Sequence, residues 1–453
     1  MKKILLSLLV GSNCFGQTFE KVTLLQNGSN DKRIVIAVLG DGFTAAQQTS
    51  FVSSAQSTVN YLFTKSPYNE YKNYFNAYAV KVISQESGVK HPGTATDVIE
   101  PVIPISNPNN YMGASFDIGV HRCIHTNTPN KVGQVLATNV PDYDITYVLG
   151  NSTEYGGCGG TYAFASLNSS SNELVVHELG HSFGNLADEY WFPGSLESAN
   201  KTQNSNPSTI KWKNWVGTNN VGIYPHAESP TWFRPHENCE MRYLDRQFCS
   251  VCKETIIEKI HSLVSPVDSY TPANNTSLDA TSGVTFTVNE ILPIPNTLVN
   301  TWTLNGTVLG GSTGNSLTIT PGQLNNGNNT LMFSVVDNSP LVRVDNHSTL
   351  HVTNVTWTLS KGTLNISDVK AEERRFSIYP NPTEGEFFIN GKKDFSKDVN
   401  VEIYDASGKM IPSRFELNNS VIKVDIKNYP TGTYLLNVKE NKTLILSQKV
   451  IKE

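Results

Sequence analysis

Between Glu173 and Tyr190 the chain reads ELVVHELGHSFGNLADEY. Its centre, His177-Glu178-x-x-His181, sets two imidazoles four residues apart with a carboxylate directly after the first. On an α-helix residues i and i+4 share a face, so the two rings can meet one divalent ion, and zinc suits neutral imidazole. Zinc lowers the pKa of a bound water toward 7, and Glu178 beside it can take the proton and pass it to a leaving amine. The chemistry on offer is metal-assisted hydrolysis of an amide. A random ordering of this composition yields the pattern only about one time in a hundred, and the flanks add weight. Leu174, Val175 and Val176 bury the start of the helix, and Gly180 lets another backbone or a ligand approach. Gly184 can turn the chain so that a following carboxylate returns to the metal. Asp188 and Glu189 are the carboxylates in reach. Alternation along a short extended return sends them to opposite sides, so only one can face the histidines, and alternation does not say which.

These residues need a frame. Periodicity predicts a helix over Asn172 to Phe183 and another over Cys252 to Val264. Arg33 to Leu39 reads as a buried strand ending in Gly40-Asp41-Gly42-Phe43-Thr44, followed by a helix over Ala45 to Phe63. Further strands are expected at Tyr74 to Ser84 and Asp144 to Leu149. Strands alternating with helices imply an α/β domain over residues 17–264. Beyond it the period changes. Val284 to Val288, Thr301 to Leu304 and Thr330 to Val336 alternate between Asn-Gly and Gly-Gly turns, the pattern of an immunoglobulin-like β-sandwich over 265–362. A polar linker, 363–375, leads to a second all-β unit over 376–453. The Gly156-Gly157-Cys158-Gly159-Gly160 loop could line a substrate cleft beside an edge strand, cradle a phosphate or be a plain turn; no Gly-Lys-Ser/Thr follows it, which weakens the phosphate reading. No Gly-x-Ser-x-Gly elbow supports serine hydrolase chemistry.

The 453 residues exceed one domain, and 38% hydrophobic with 17% charged residues places the chain among soluble globular proteins. A net charge of −5 gives no electrostatic footprint for nucleic acid. Met1 to Gly16 reads as a signal peptide: Lys2 and Lys3, an apolar run from Ile4 to Val10, and Cys14-Phe15-Gly16 as the cleavage site. The run is too short for a transmembrane segment, and Gly11-Ser12-Asn13 is a poor lipobox before Cys14. Cleavage leaves five cysteines, an odd number, so at least one thiol is unpaired. Cys239, Cys249 and Cys252 could hold a metal together with Cys158, but export favours disulfides.

The stretch His177-Glu178-x-x-His181-x-x-Gly184-x-x-x-Asp188-Glu189-Tyr190 resembles the signature of the M64, or IgA peptidase, family of zinc peptidases, within the metzincin-like metallopeptidases. Leu39 to Thr44, Ser84-x-Glu86-Ser87-Gly88, Tyr155 to Gly160, and Cys239-Glu240-Met241-Arg242 followed by Phe248-Cys249-x-x-Cys252 agree with it. The resemblance implies a metzincin-like α/β (α+β) zinc peptidase domain followed by two all-β immunoglobulin-like sandwich domains. It implies Zn2+ held by His177, His181 and a third ligand. Metzincins place that ligand ten residues after the first histidine, where this chain has Ala187, which cannot bind zinc. The resemblance favours Asp188, leaving Glu189 to support a histidine from behind. By the same similarity Met241 is the methionine beneath the site and Tyr243 the phenol aimed at the zinc or the developing oxyanion, so Glu178 and Tyr243 are the expected catalytic residues.

Residues 376–453 resemble the type A sorting domain that Bacteroidetes use for type IX secretion, through Tyr379-Pro380-Asn381-Pro382-Thr383, Val401 to Lys409, Tyr429 to Tyr434 and Lys449-Val450. Together these imply a secreted or cell-surface zinc endopeptidase that crosses the periplasm, engages the type IX machinery and cuts extracellular proteins or peptides. The competing expectation is a catalytically silent adhesion protein that makes its contacts through the sandwiches.

Overall fold

The computed structural model describes residues 17–191, 196–361 and 376–453. The expected signal peptide over 1–16 and the linker over 363–375 lie outside these residues. The N-terminal region is built on one six-stranded sheet. Its strands are β1 (Lys21–Leu25), β2 (Ile34–Asp41), β3 (Phe75–Val80), β4 (Ile145–Gly150), β5 (Gly157–Cys158) and β6 (Ala163–Ser166). The spatial order is β1-β3-β2-β4-β6-β5. The four middle strands are parallel, and the edge strands β1 and β5 run antiparallel to their neighbours.

Burial on both faces explains the unbroken aliphatic run of β2. Ile34, Ile36 and Val38 enter one core together with α1 (Gln48–Leu62), and Val35, Ala37 and Leu39 enter a second with α2 (Pro129–Asn139). The first core also takes Val175, Val176 and Leu179 of α3 (Ser171–Ser182) and Ile256, Ile257 and Ile260 of α4 (Ser250–Leu263). α3 therefore lies against the sheet by its apolar stripe and turns its histidine face away from it. At the C-terminal end of β2 the buried Asp41 accepts the N–H groups of Met112 and Ala114, both at 2.8 Å. Gly42, at φ 75°, brings its backbone against Gly88, whose N–H donates to the Gly42 carbonyl at 2.9 Å. Two of the sequence landmarks thus meet as one structural corner.

The first sandwich has a three-stranded sheet (267–271, 284–290, 316–319) facing a five-stranded one, with Phe286, Trp302, Phe333 and Trp357 between them. It forms one compact unit with the N-terminal region, through Lys361. The joint is polar: Asp337 receives Tyr71 and His261 (2.9 Å), and Arg33 pairs with Asp268 at 2.9 Å. Glu258 of α4 reaches His347 and His351. The C-terminal unit is a second sandwich of two four-stranded sheets around Phe387, Ile389, Leu436 and Val438.

Candidate metal centre

The helix carrying both histidines ends at Ser182, and the chain reverses within a few residues. Asn185, at φ 53°, makes the left-handed step, a conformation asparagine tolerates better than most residues. Leu186 N–H returns to the Gly180 carbonyl at 2.9 Å. Gly184, the residue expected to turn the chain, is needed for space instead: a Cβ there would stand 2.9 Å from the Gly180 carbonyl oxygen and 3.3 Å from Ile256. The returning strap, 186–190, is held by the buried Lys201, whose ammonium donates to the carbonyls of Asp188 (3.1 Å) and Tyr190 (3.3 Å).

The reversal brings Asp188 Oδ1 to 3.0 Å from His177 Nε2 and 3.2 Å from His181 Nε2. The other nitrogen of each ring is engaged by backbone: His177 Nδ1 donates to the Glu240 carbonyl at 3.0 Å and His181 Nδ1 to that of Leu186 at 2.8 Å. Those bonds spend each Nδ1–H on the backbone and leave both Nε2 atoms facing Asp188, the outer support expected of metal-binding histidines. Burial works against charge on the imidazoles, but the Asp188 carboxylate more than reverses it and lifts His181 to about 9. Burial likewise pushes Asp188 up, and hydrogen bonds from His177 and His181 outweigh it, holding the carboxyl below its ordinary value. The three atoms converge where positive charge is favoured. A donor set of two imidazoles and one carboxylate fits zinc.

Two glycines shape the surroundings. A Cβ on Gly180 would lie 2.2 Å from Met241 Sδ, so the methionine packs directly under the helix at the turn between the histidines. A Cβ on Gly159, at the end of β5, would lie 1.8 Å from Glu178 Oε2. The Gly156–Gly160 loop therefore runs along the site and leaves room for the Glu178 carboxylate, whose pKa burial raises. The disulfide Cys123–Cys158 ties this edge down. A cleft of about 560 Å³ lined by Tyr61, Arg122, Tyr155, Glu173 and Asp245 opens at the N-terminal end of α3.

Tyr243 is half-exposed, and its ring lies under the Arg242 guanidinium, 4.8 Å from the centroid. The phenol that meets Asp188 is that of Tyr190, whose pKa is raised by burial and then by Asp188. Its place in Asp-Glu-Tyr was visible in the sequence, but nothing there assigned it a role. Glu189 does not support a histidine. It is fully buried on the opposite side of the strap, with Oε1 3.3 Å from Cys252 Sγ. Cys158 is bonded to Cys123 and takes no part in a cluster with Cys239, Cys249 and Cys252, which are free thiols.

Residues 22–226 match the family model described as IgA Peptidase M64, and residues 377–453 match that of the secretion system C-terminal sorting domain. No protein of curated function matches the chain. Among solved structures, the Lin-41 filamin domain shares 14% identity over 17% of this chain and 92% of its own, with a TM-score of 0.15. The Bacteroides ovatus mixed-linkage glucan utilization locus protein SGBP-B, in complex with a heptasaccharide, shares 11% over 41% of this chain and 47% of its own, at 0.16. Sidekick-1 immunoglobulin domains 1–5 share 13% over 41% and 38%, also at 0.16. The chain spans less than half the length of the latter two, and overlaps this small carry no argument. No helix among the described residues is long and apolar enough to cross a membrane. The peptidase match runs from β1 across the sheet, α3 and the strap bearing Asp188, so residues 22–226 are similar to the M64 peptidase family and residues 377–453 to the type IX secretion sorting domain.

Proposed function

We propose that the protein is a secreted zinc endopeptidase that hydrolyses peptide bonds of extracellular proteins, with His177, His181 and Asp188 as metal ligands. The observation that carries this is the convergence of both Nε2 atoms on Asp188 Oδ1 while each Nδ1 is spent on a backbone carbonyl. A zinc ion held there would supply Lewis acidity to the scissile carbonyl and to a water. Glu178, raised by burial, takes the proton of the attacking water at its carboxylate and delivers it to the leaving amine. Tyr190, beside Asp188, is the phenol we assign to orienting that carboxylate, in preference to Tyr243. The antiparallel edge β5 along the histidine helix and Met241 beneath it support a metzincin-like arrangement for residues 17–264, with sandwich domains at 265–362 and 376–453.

Glu178 is not among the three converging atoms. Glu178→Gln should therefore keep the metal and lose turnover by about 100- to 10,000-fold on a peptide library. Metal content and activity are measured in one preparation, and near-normal turnover would overturn the mechanism.

A further inference from the structure

A second group of metal-binding side chains lies behind the strap. Cys239, Cys249, Cys252 and Glu189 are all buried, and one ligand atom from each lies within 4.8 Å of the others. Cys252 Sγ stands 3.5 Å from Cys249 Sγ and 3.7 Å from Cys239 Sγ. Glu189 Oε1 is 3.3 Å from Cys252 Sγ and 3.9 Å from Cys249 Sγ. A tetrahedral zinc with ordinary bond lengths separates two sulfurs by about 3.8 Å and a sulfur from a carboxylate oxygen by about 3.5 Å. The two sulfur–oxygen distances bracket their value, and the two sulfur–sulfur distances fall short of theirs by no more than about 0.3 Å.

Three further features point the same way. Glu189 is a wholly buried carboxylate whose Oε2 has no hydrogen-bond partner; Lys201 and Arg234 act on it electrostatically, but neither forms an ion pair with it among the described residues. Such a group calls for a cation. Asn200 Nδ2 donates to Oε1 at 3.2 Å, and the Cys249 backbone N–H donates to Cys239 Sγ at 3.3 Å, the kind of outer contact that orients metal ligands. Finally, Cys252 lies at comparable distances from both other sulfurs, so the arrangement does not single out one disulfide pair.

We infer that Glu189, Cys239, Cys249 and Cys252 form a second, structural zinc site, separate from the histidine site and closed to substrate by burial of all four ligands. Zinc is preferred because three thiolates and a carboxylate in a four-coordinate closed site match its ligand chemistry. Binding displaces the thiol protons to solvent and needs no oxidant. The ligands come from the strap after Asp188, from the turn holding Met241 and from the start of α4, so the ion would clamp the parts that support the histidine site.

The test is metal analysis and cobalt substitution of the full-length protein. Two zinc ions per chain are expected. The cobalt protein should show sulfur-to-cobalt charge-transfer absorption, which a site of two histidines and an aspartate cannot produce. Cys252→Ser should remove that absorption and one metal, whereas His181→Ala should lose one metal and keep the absorption. If Cys252→Ser does not fold, alkylation mapping of the wild type in denaturant with chelator and no reductant should find Cys239, Cys249 and Cys252 all as free thiols. Absence of the thiolate absorption, or a disulfide between any two of the three, overturns the site. One metal per chain with the absorption retained supports this site and instead defeats the histidine reading.

Discussion

Gly159→Ala tests the site where its geometry is tightest. The added methyl would fall 1.8 Å from Glu178 Oε2, so either the loop or the carboxylate must give way. The loop has little freedom: Cys158 is bonded to Cys123 and paired with Phe164 in the sheet, one residue before the substitution. Restoring an ordinary contact of 3.4 Å requires Glu178 to retreat by about 1.6 Å. Misplacing a reacting group by about 1 Å costs on the order of 100-fold in rate, and the whole contribution of a general base is about 100- to 10,000-fold. The expected result is a fall in kcat of about 100-fold, with KM and metal content unchanged. Thermal unfolding should move little, because Gly159 has no positive φ to defend and lies at a sheet edge. Steady-state kinetics on a mapped peptide, zinc analysis and a melting curve together decide the matter. Turnover within about threefold of wild type, with zinc retained, would show that the carboxylate is not held where the proton must be moved.

Other substitutions probe the strap and the tail. Asn185→Val forces a β-branched residue into the left-handed region and should destabilise by about 1–3 kcal/mol, whereas Asn185→Gly should be near neutral; denaturant melts compare them. Lys201→Met removes the ammonium that holds the Asp188 and Tyr190 carbonyls and should weaken zinc retention at the histidine site by about 10- to 100-fold in a chelator competition. Removing residues after about 370 should leave a folded, active enzyme in the periplasm of the native host, because the sorting domain is lost. Normal levels of that truncated protein in the medium would refute the export role.

The histidine site was legible in the sequence because its parts are local. Helical spacing of four residues sets His177 and His181 on one face, and strand alternation sends Asp188 and Glu189 apart over a single peptide. The turn was misread for an understandable reason. Gly184 has the residue type that most often makes a left-handed step, but close packing against Gly180 and Ile256 claims it, and Asn185 takes the step instead. Tyr190 and Tyr243 are both tyrosines near the motifs, and only tertiary placement of the strap puts one phenol on Asp188. The α2 helix was missed although Pro129 stands at its first turn, since its apolar face is only Val132, Val135 and Leu136. The cysteine group was least legible: Glu189 lies 50 to 63 positions before its three sulfur partners, and no local pattern joins them.

The opposed faces of Asp188 and Glu189 have an energetic consequence. One peptide bond links a ligand of the histidine site to a ligand of the inferred cysteine site, and Glu189 N–H donates to the Met241 carbonyl at 2.7 Å. Occupancy of the cysteine site should therefore order the segment that presents Asp188. Linkage makes the effect reciprocal: whatever factor one ion contributes to the affinity of the other is returned in full. A coupling of about 1–3 kcal/mol corresponds to roughly 5- to 150-fold in affinity. Titrating zinc into the histidine site of Cys252→Ser and of wild type, with cobalt absorption reporting the cysteine site, measures that factor directly. Equal affinities in the two proteins would mean that the strap is already ordered by Lys201, Asn200 and the Met241 carbonyl, and that the two sites fill independently.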